Sequence, residues 1–166
     1  MEIINSKWIL IIGIPLVIII VLYFLGNKSV HTEIKINATP EQIWKVLMNK
    51  DQYREWNTVL IPVKGNLNVG ETVEYEFHQD SENQSIIPSK VLKIETNRLL
   101  NQGGGIPGIL TYNHCYIIDQ TESGSKLTIH EDYKGIGVPF WNPSPVQRAY
   151  ERLCHNLKDR VESLNK

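Results

Sequence analysis

The side chains best suited to chemistry lie on two neighbouring runs, "YNHCYII" (residues 112–118) and "KLTIHEDYK" (residues 126–134). Both runs alternate. Successive side chains of an extended strand point to opposite faces. Tyr112, His114, Tyr116 and Ile118 therefore share one face, as do Leu127, Ile129, Glu131 and Tyr133. The more apolar set of each run is expected inward, since a slip of one residue would turn all of its apolar groups to water. That assignment also carries His114 and Glu131 inward and sends Asn113, Cys115, His130 and Asp132 outward. "QTESGS" between the runs reads as a hairpin turn, so His114 and Glu131 are expected near one another on a largely apolar surface.

A buried imidazole and a buried carboxylate are costly unless they pair. Such a pair has three possible uses: an internal hydrogen bond tying two strands, recognition of the polar end of a ligand, or general acid–base proton transfer. No other motif competes with it. "HED" (residues 130–132) resembles a metal-binding triplet, but adjacent strand residues face opposite ways, so no shared metal is expected. "GGGIPG" (residues 103–108) lacks the Gly-Lys-Ser/Thr of a phosphate loop and reads as a mobile loop at the mouth of whatever these strands enclose. No Ser-His-Asp or Cys-His arrangement is evident. Cys115 and Cys154 match no metal-ligand spacing and read as free thiols. A formal net charge of -1, with no basic cluster, argues against a nucleic-acid partner.

The elements that must position this pair follow from periodicity. Near the N-terminus, residues 8–26 ("WILIIGIPLVIIIVLYFLG") carry no charge and lie between Lys7 and Lys28. At about 1.5 Å per residue a helix of that length spans a bilayer core of about 30 Å. The expectation is a single-pass transmembrane helix: residues 1–29 as anchor and short linker, residues 30–166 as one domain. The lysines on either side do not set the orientation, so the side of the membrane stays open. Residues 30–37 alternate as a strand. Thr39, Pro40 and Gln42 form the start signal of a short helix, and "DQYREW" (residues 51–56) reads as a further helical turn. Residues 59–65, 71–78 and 85–95 read as strands, with Val73, Tyr75 and Phe77 on one face and Pro88 suggesting an edge or bulge. "RLLNQ" (residues 98–102) is a weaker strand. The chain closes with a long helix, capped at Ser144, whose Val146, Ala149, Tyr150, Leu153, Leu157, Val161 and Leu164 make one apolar stripe. Strands joined by short turns imply an antiparallel sheet with one face to cover, and this helix is the cover.

Taken in order, "INATPEQIWKVLMNKDQYREWN", "KGNLNVGETV", "SKVLKIETNRLL", "GILTYNHCYII", "GSKLTIHEDYKG" and "LCHNLKDRVESL" resemble the START-like, or SRPBCC, superfamily, and within it the polyketide cyclase/dehydrase-like proteins. The resemblance covers nearly everything from Val30 onward. It implies an α+β helix-grip fold of the START/Bet v 1 kind, in which a seven-stranded antiparallel sheet surrounds the C-terminal helix and encloses an apolar cavity. It further implies binding of a lipid or other hydrophobic small molecule, with Trp56, Tyr75, Phe77, Tyr112, His114, Tyr116, Glu131 and Tyr133 as candidate ligand contacts. Relatives often carry a tryptophan after the "RLL"-like stretch; Asn101 and Gln102 stand here instead and suggest a more polar lining. Asn57 reads as a turn residue. Two other functions stay open: a cyclase- or dehydratase-type enzyme using His114 and Glu131, and a protein-interaction module. No cofactor or metal is expected.

Overall fold

The computed structural model describes residues 6–165, with side chains from Ile11 onward. After helix α1 (Ser6–Leu25), seven strands form one antiparallel sheet: β1 (Asn27–Ile36), β2 (Leu60–Lys64), β3 (Thr72–His78), β4 (Gln84–Glu95), β5 (Leu99–Ile106), β6 (Leu110–Thr121) and β7 (Gly124–Lys134). Their order across the sheet is β1-β7-β6-β5-β4-β3-β2. Every neighbour except β1–β7 is a sequential pair, so the sheet is a meander closed at one edge by its first strand. Two short helices, α2 (Pro40–Met48) and α3 (Tyr53–Trp56), cross from β1 to β2, and the long helix α4 (Ser144–Ser163) ends the chain.

Local signals explain most of these elements. Thr39 caps α2 through a complete capping box, its hydroxyl accepting from the Gln42 N–H while the Gln42 side chain accepts from the Thr39 N–H at 2.8 Å. Asn57 ends α3 as a turn residue, its Oδ1 accepting from the N–H groups of Val59 and Leu60. The stripe on α4 is buried from Val146 through Val161 against the concave face of the sheet. There Leu100, Leu127, Ile129, Leu153 and Leu157 are fully enclosed.

The structure departs from the sequence reading at five places. No membrane span is found: among the described residues no helix is long and apolar enough to cross a membrane. Helix α1 also carries Pro15 in its interior. Trp8, expected at one end of a span, lies outside the described side chains. The single-pass localisation and the membrane contact through residues 8–26 are corrected accordingly. Residues 27–29 are no linker but the start of β1, paired with Lys134, Tyr133 and Asp132. "GGGIPG" is mostly strand: Gly103–Ile106 complete β5, and only Pro107 and Gly108 turn. A Cβ on Gly104 would stand 2.6 Å from the Pro88 carbonyl and 2.7 Å from the Tyr112 hydroxyl, so its missing side chain leaves room for Tyr112 to lie across the strand. Pro88 occupies the interior strand β4, paired with Glu74 of β3. The β4–β5 ladder starts only at Lys90, which frees the other side of Pro88 from any need to donate. Ser144 opens α4 rather than capping it; the cap position is Pro143.

Replacing Gly104 with alanine should therefore lower unfolding stability by about 1–3 kcal/mol, measured by urea denaturation. An unchanged midpoint would show that the Tyr112 ring yields freely.

Candidate functional site

The hairpin of β6 and β7 turns at Glu122 and Ser123, with Thr121 opposite Gly124. Its register sets Tyr112 opposite Tyr133, His114 opposite Glu131 and Tyr116 opposite Ile129. The alternation read from the sequence is thus the alternation in space. His114 and Glu131 are 4% and 3% exposed, and His114 Nδ1 lies 3.1 Å from Glu131 Oε2.

Helix α4 supplies a third member. Its buried Tyr150 donates its hydroxyl to the same Oε2 of Glu131. Tyr150 sits on the apolar stripe of α4, and nothing in the helical spacing distinguishes a packing tyrosine from one whose hydroxyl meets a carboxylate of the sheet. The imidazole of His114 is clamped between two rings, with centroids 4.7 Å from Tyr116 and 5.0 Å from Tyr150, both edge-on. The other imidazole nitrogen, Nε2, is buried with no hydrogen-bond partner.

This cluster forms part of the wall of a cavity of about 270 Å³ between the sheet and the first turns of α4. The volume is near the lower end of known ligand pockets, roughly 300–1,000 Å³. Aromatic side chains contribute much of the wall, among them Tyr75, Phe77, Tyr112, Tyr133, Trp141 and Tyr150. Leu60, Ile87, Leu110 and Val146 add aliphatic surface, and exposed Ser85 and Gly105 mark the rim. Trp141 and Tyr133 stack at 4.3 Å. Gln102 donates to the Tyr75 hydroxyl at 2.8 Å, which satisfies two buried polar groups on the wall. Asn101 faces the other way and donates to Asn113 at 2.6 Å.

Six of the eight expected contact residues meet at this cavity: Tyr75, Phe77, Tyr112, His114, Glu131 and Tyr133. Trp56 and Tyr116 do not line it. Trp56 packs against Tyr53 at 4.9 Å within the core, because α3 lies at the end of the grip away from the cavity. Tyr116 is buried beneath His114 and supports it rather than facing the space. The sequence reading missed Trp141, Val146 and Tyr150, which reach the cavity from the segment after β7. Their spacing signals only a covering helix and its approach. His130 and Asp132 pair at 3.2 Å on the outer face, away from Glu131. Among the described residues no group of three or more His, Cys, Asp or Glu side chains is arranged to hold a metal ion. Cys115 and Cys154 are free thiols.

Burial pushes the phenols of the wall upward. Tyr112 rises to about 12, chiefly through desolvation. Tyr75, Tyr133 and Tyr150 are also driven above the ordinary tyrosine range by desolvation, and for Tyr133 and Tyr150 the neighbouring Glu131 carboxylate adds to the effect. All stay protonated near neutrality, and Tyr75, Tyr112 and Tyr150 donate to Gln102, the Pro88 carbonyl and Glu131 respectively. A group whose folded pKa is raised contributes stability that is fully present below its unfolded value and is lost as pH rises through the folded one. Denaturant midpoints should therefore hold steady up to about pH 10, the ordinary tyrosine value, and fall above it. Tyrosinate absorbance should rise with the loss of structure rather than before it. A second measurement isolates the helix contact: Tyr150→Phe leaves a buried carboxylate short of one donor and should cost about 1.5–3 kcal/mol in urea denaturation.

Comparison with known proteins agrees with this architecture. Residues 28–162 match the family described as polyketide cyclase / dehydrase and lipid transport. A search of curated protein sequences finds no match. A crystal structure of a protein from Chromobacterium violaceum aligns with a TM-score of 0.66 at 12% identity, over 81% of this chain and 97% of its own. A protein from Rhodobacter sphaeroides aligns with a TM-score of 0.66 at 15% identity, covering 82% and 93%. The crystal structure of Ara h 8.0201 aligns with a TM-score of 0.63 at 14% identity, covering 83% and 99%. At such identities these likenesses establish the fold.

Proposed function

Because the chain belongs to the polyketide cyclase / dehydrase and lipid transport family, we propose that it binds a small hydrophobic molecule in the cavity beneath α4. The family and the fold support a hydrophobic ligand-binding domain. The observation that carries the reading further is the cavity itself: a space of about 270 Å³, walled by aromatic and aliphatic side chains, in an otherwise tightly packed interior. Protein interiors pack nearly as densely as organic crystals, so a space of this size lined by few polar groups is more than a packing fault. Glu131, His114 and Tyr150 form one polar cluster on the wall, and Gln79, Ser85, Ser89 and Gln102 add polar atoms elsewhere on it. The ligand we propose is therefore an amphiphile, with an apolar body against Phe77, Leu110 and Val146 and a polar end at the buried carboxylate.

A second reading has one observation in its favour. Glu131 holds His114 through Nδ1, the arrangement by which a carboxylate orients an imidazole for proton transfer. Under that reading the protein is a cyclase- or dehydratase-type enzyme, and Glu131→Gln abolishes turnover while leaving ligand affinity in place. The binding reading is preferred because Nε2, the nitrogen that would transfer the proton, has almost no surface open to the cavity. A third, the interaction module, has less support, since the space under the helix is not filled by side chains.

Filling the cavity tests the proposal. Val146→Trp places an indole in the space from α4 and should abolish binding of naphthalenemethanol, followed by amide chemical-shift titration, while the dispersion of the spectrum is retained. Native mass spectrometry of the wild-type protein should show a co-purifying small molecule that the variant lacks. A wild-type protein that emerges empty and shows no shifts with naphthalenemethanol would sink the proposal.

A further inference from the structure

The charge balance of the cavity identifies the polar end of its ligand. Glu131 is the one carboxylate on the wall, and no lysine or arginine lines it among the described residues. Among the described residues, His114 is the basic side chain that reaches that carboxylate. Its Nδ1 faces Glu131, but its Nε2 is buried without a partner. Nδ1 is therefore engaged with the carboxylate, and Nε2 presents nothing to the cavity. Tyr150 donates its hydroxyl to the same oxygen, Oε2. Both contacts fall on one oxygen, and among the described residues no lysine or arginine lines the cavity beside the carboxylate.

Buried charges are ordinarily paired, and here the fold does not supply the partner. Around the same space stand the rings of Phe77, Tyr112, Tyr133, Trp141 and Tyr150, whose faces attract a cation. We infer that the ligand carries the missing positive charge: an amine or ammonium group seated against Glu131, attached to an apolar body that fills the rest of the cavity. The same wall disfavours carboxylates and phosphates, which would meet Glu131 with no cation to hold them. Free fatty acids are therefore poor occupants. This inference rests on the cavity being a ligand site, and it specifies which hydrophobic molecules the site selects.

The test is a set of probes with one apolar body and different ends: naphthylmethylamine, naphthalenemethanol, naphthoate and methylnaphthalene, each titrated by calorimetry near neutral pH. The amine should bind roughly tenfold more tightly than the alcohol, and naphthoate should bind most weakly. Glu131→Gln should bring the amine to within about twofold of the alcohol. If the variant does not fold, the wild-type series decides alone. An alcohol or carboxylate that binds as tightly as the amine overturns the inference and leaves the cavity reading standing. An amine preference that survives Glu131→Gln overturns it as well. Failure of all four probes to bind removes the cavity reading itself, and this inference with it.

Discussion

A carboxylate buried at the meeting of sheet and helix is the constraint on which the rest of this structure depends. Glu131 is reached from its own hairpin partner by His114 and from α4 by Tyr150. Those contacts bind the register of β6 and β7 to the placement of the helix. A slip of one residue in the hairpin would bury Asn113 and Asp132 and expose His114 and Glu131. Removing one partner of a buried, hydrogen-bonded charge costs more than the bond is worth in place, because the remaining group is left dry and unsatisfied. The cluster therefore specifies the arrangement even if its net contribution to stability is small.

The interior divides along α4. Toward the C-terminal end of the helix, Leu153, Leu157 and Val161 pack against the sheet and against α2 and α3, where Ile43, Leu47 and Tyr53 are fully buried. Toward its N-terminal end, Val146 and Tyr150 stand over the cavity. Apolar packing at one end provides the stability, which lets the other end keep unfilled space. Aromatic residues suit that end because their rings are large and stiff and their hydroxyl tips can meet polar groups. The fold is shared with proteins only 12–15% identical, and a shared fold does not carry a shared ligand.

Much of this was legible in the residues. The period-two pattern of "YNHCYII" and "KLTIHEDYK" identified the inward faces, and the hairpin between them brought His114 to Glu131. The capping box at Thr39, the turn at Asn57 and the stripe on α4 followed from local signals. What the residues did not reveal has physical causes. Three glycines in a row read as a loop, yet Gly103, Gly104 and Gly105 are strand because neighbouring groups occupy the space their side chains would need. A long apolar run read as a membrane span, and among the described residues no helix is long and apolar enough to cross a membrane. Trp56 read as a wall residue, yet the path of α3 takes it into the packed end.

The sequence by itself determined which side chains face inward, because alternation along a strand and the stripe on a helix are local geometry, fixed by bond angles and the cost of exposing apolar groups. It also determined that His114 and Glu131 meet, because a short turn leaves little choice of register. Only the tertiary structure decided that Tyr150 completes the cluster, that Trp141 and Val146 wall the cavity, and that among the described residues no lysine or arginine lines it. Those facts depend on where a helix lands on a sheet from which it is distant in sequence, and that position is set by the summed packing of the whole interior rather than by any neighbouring residues.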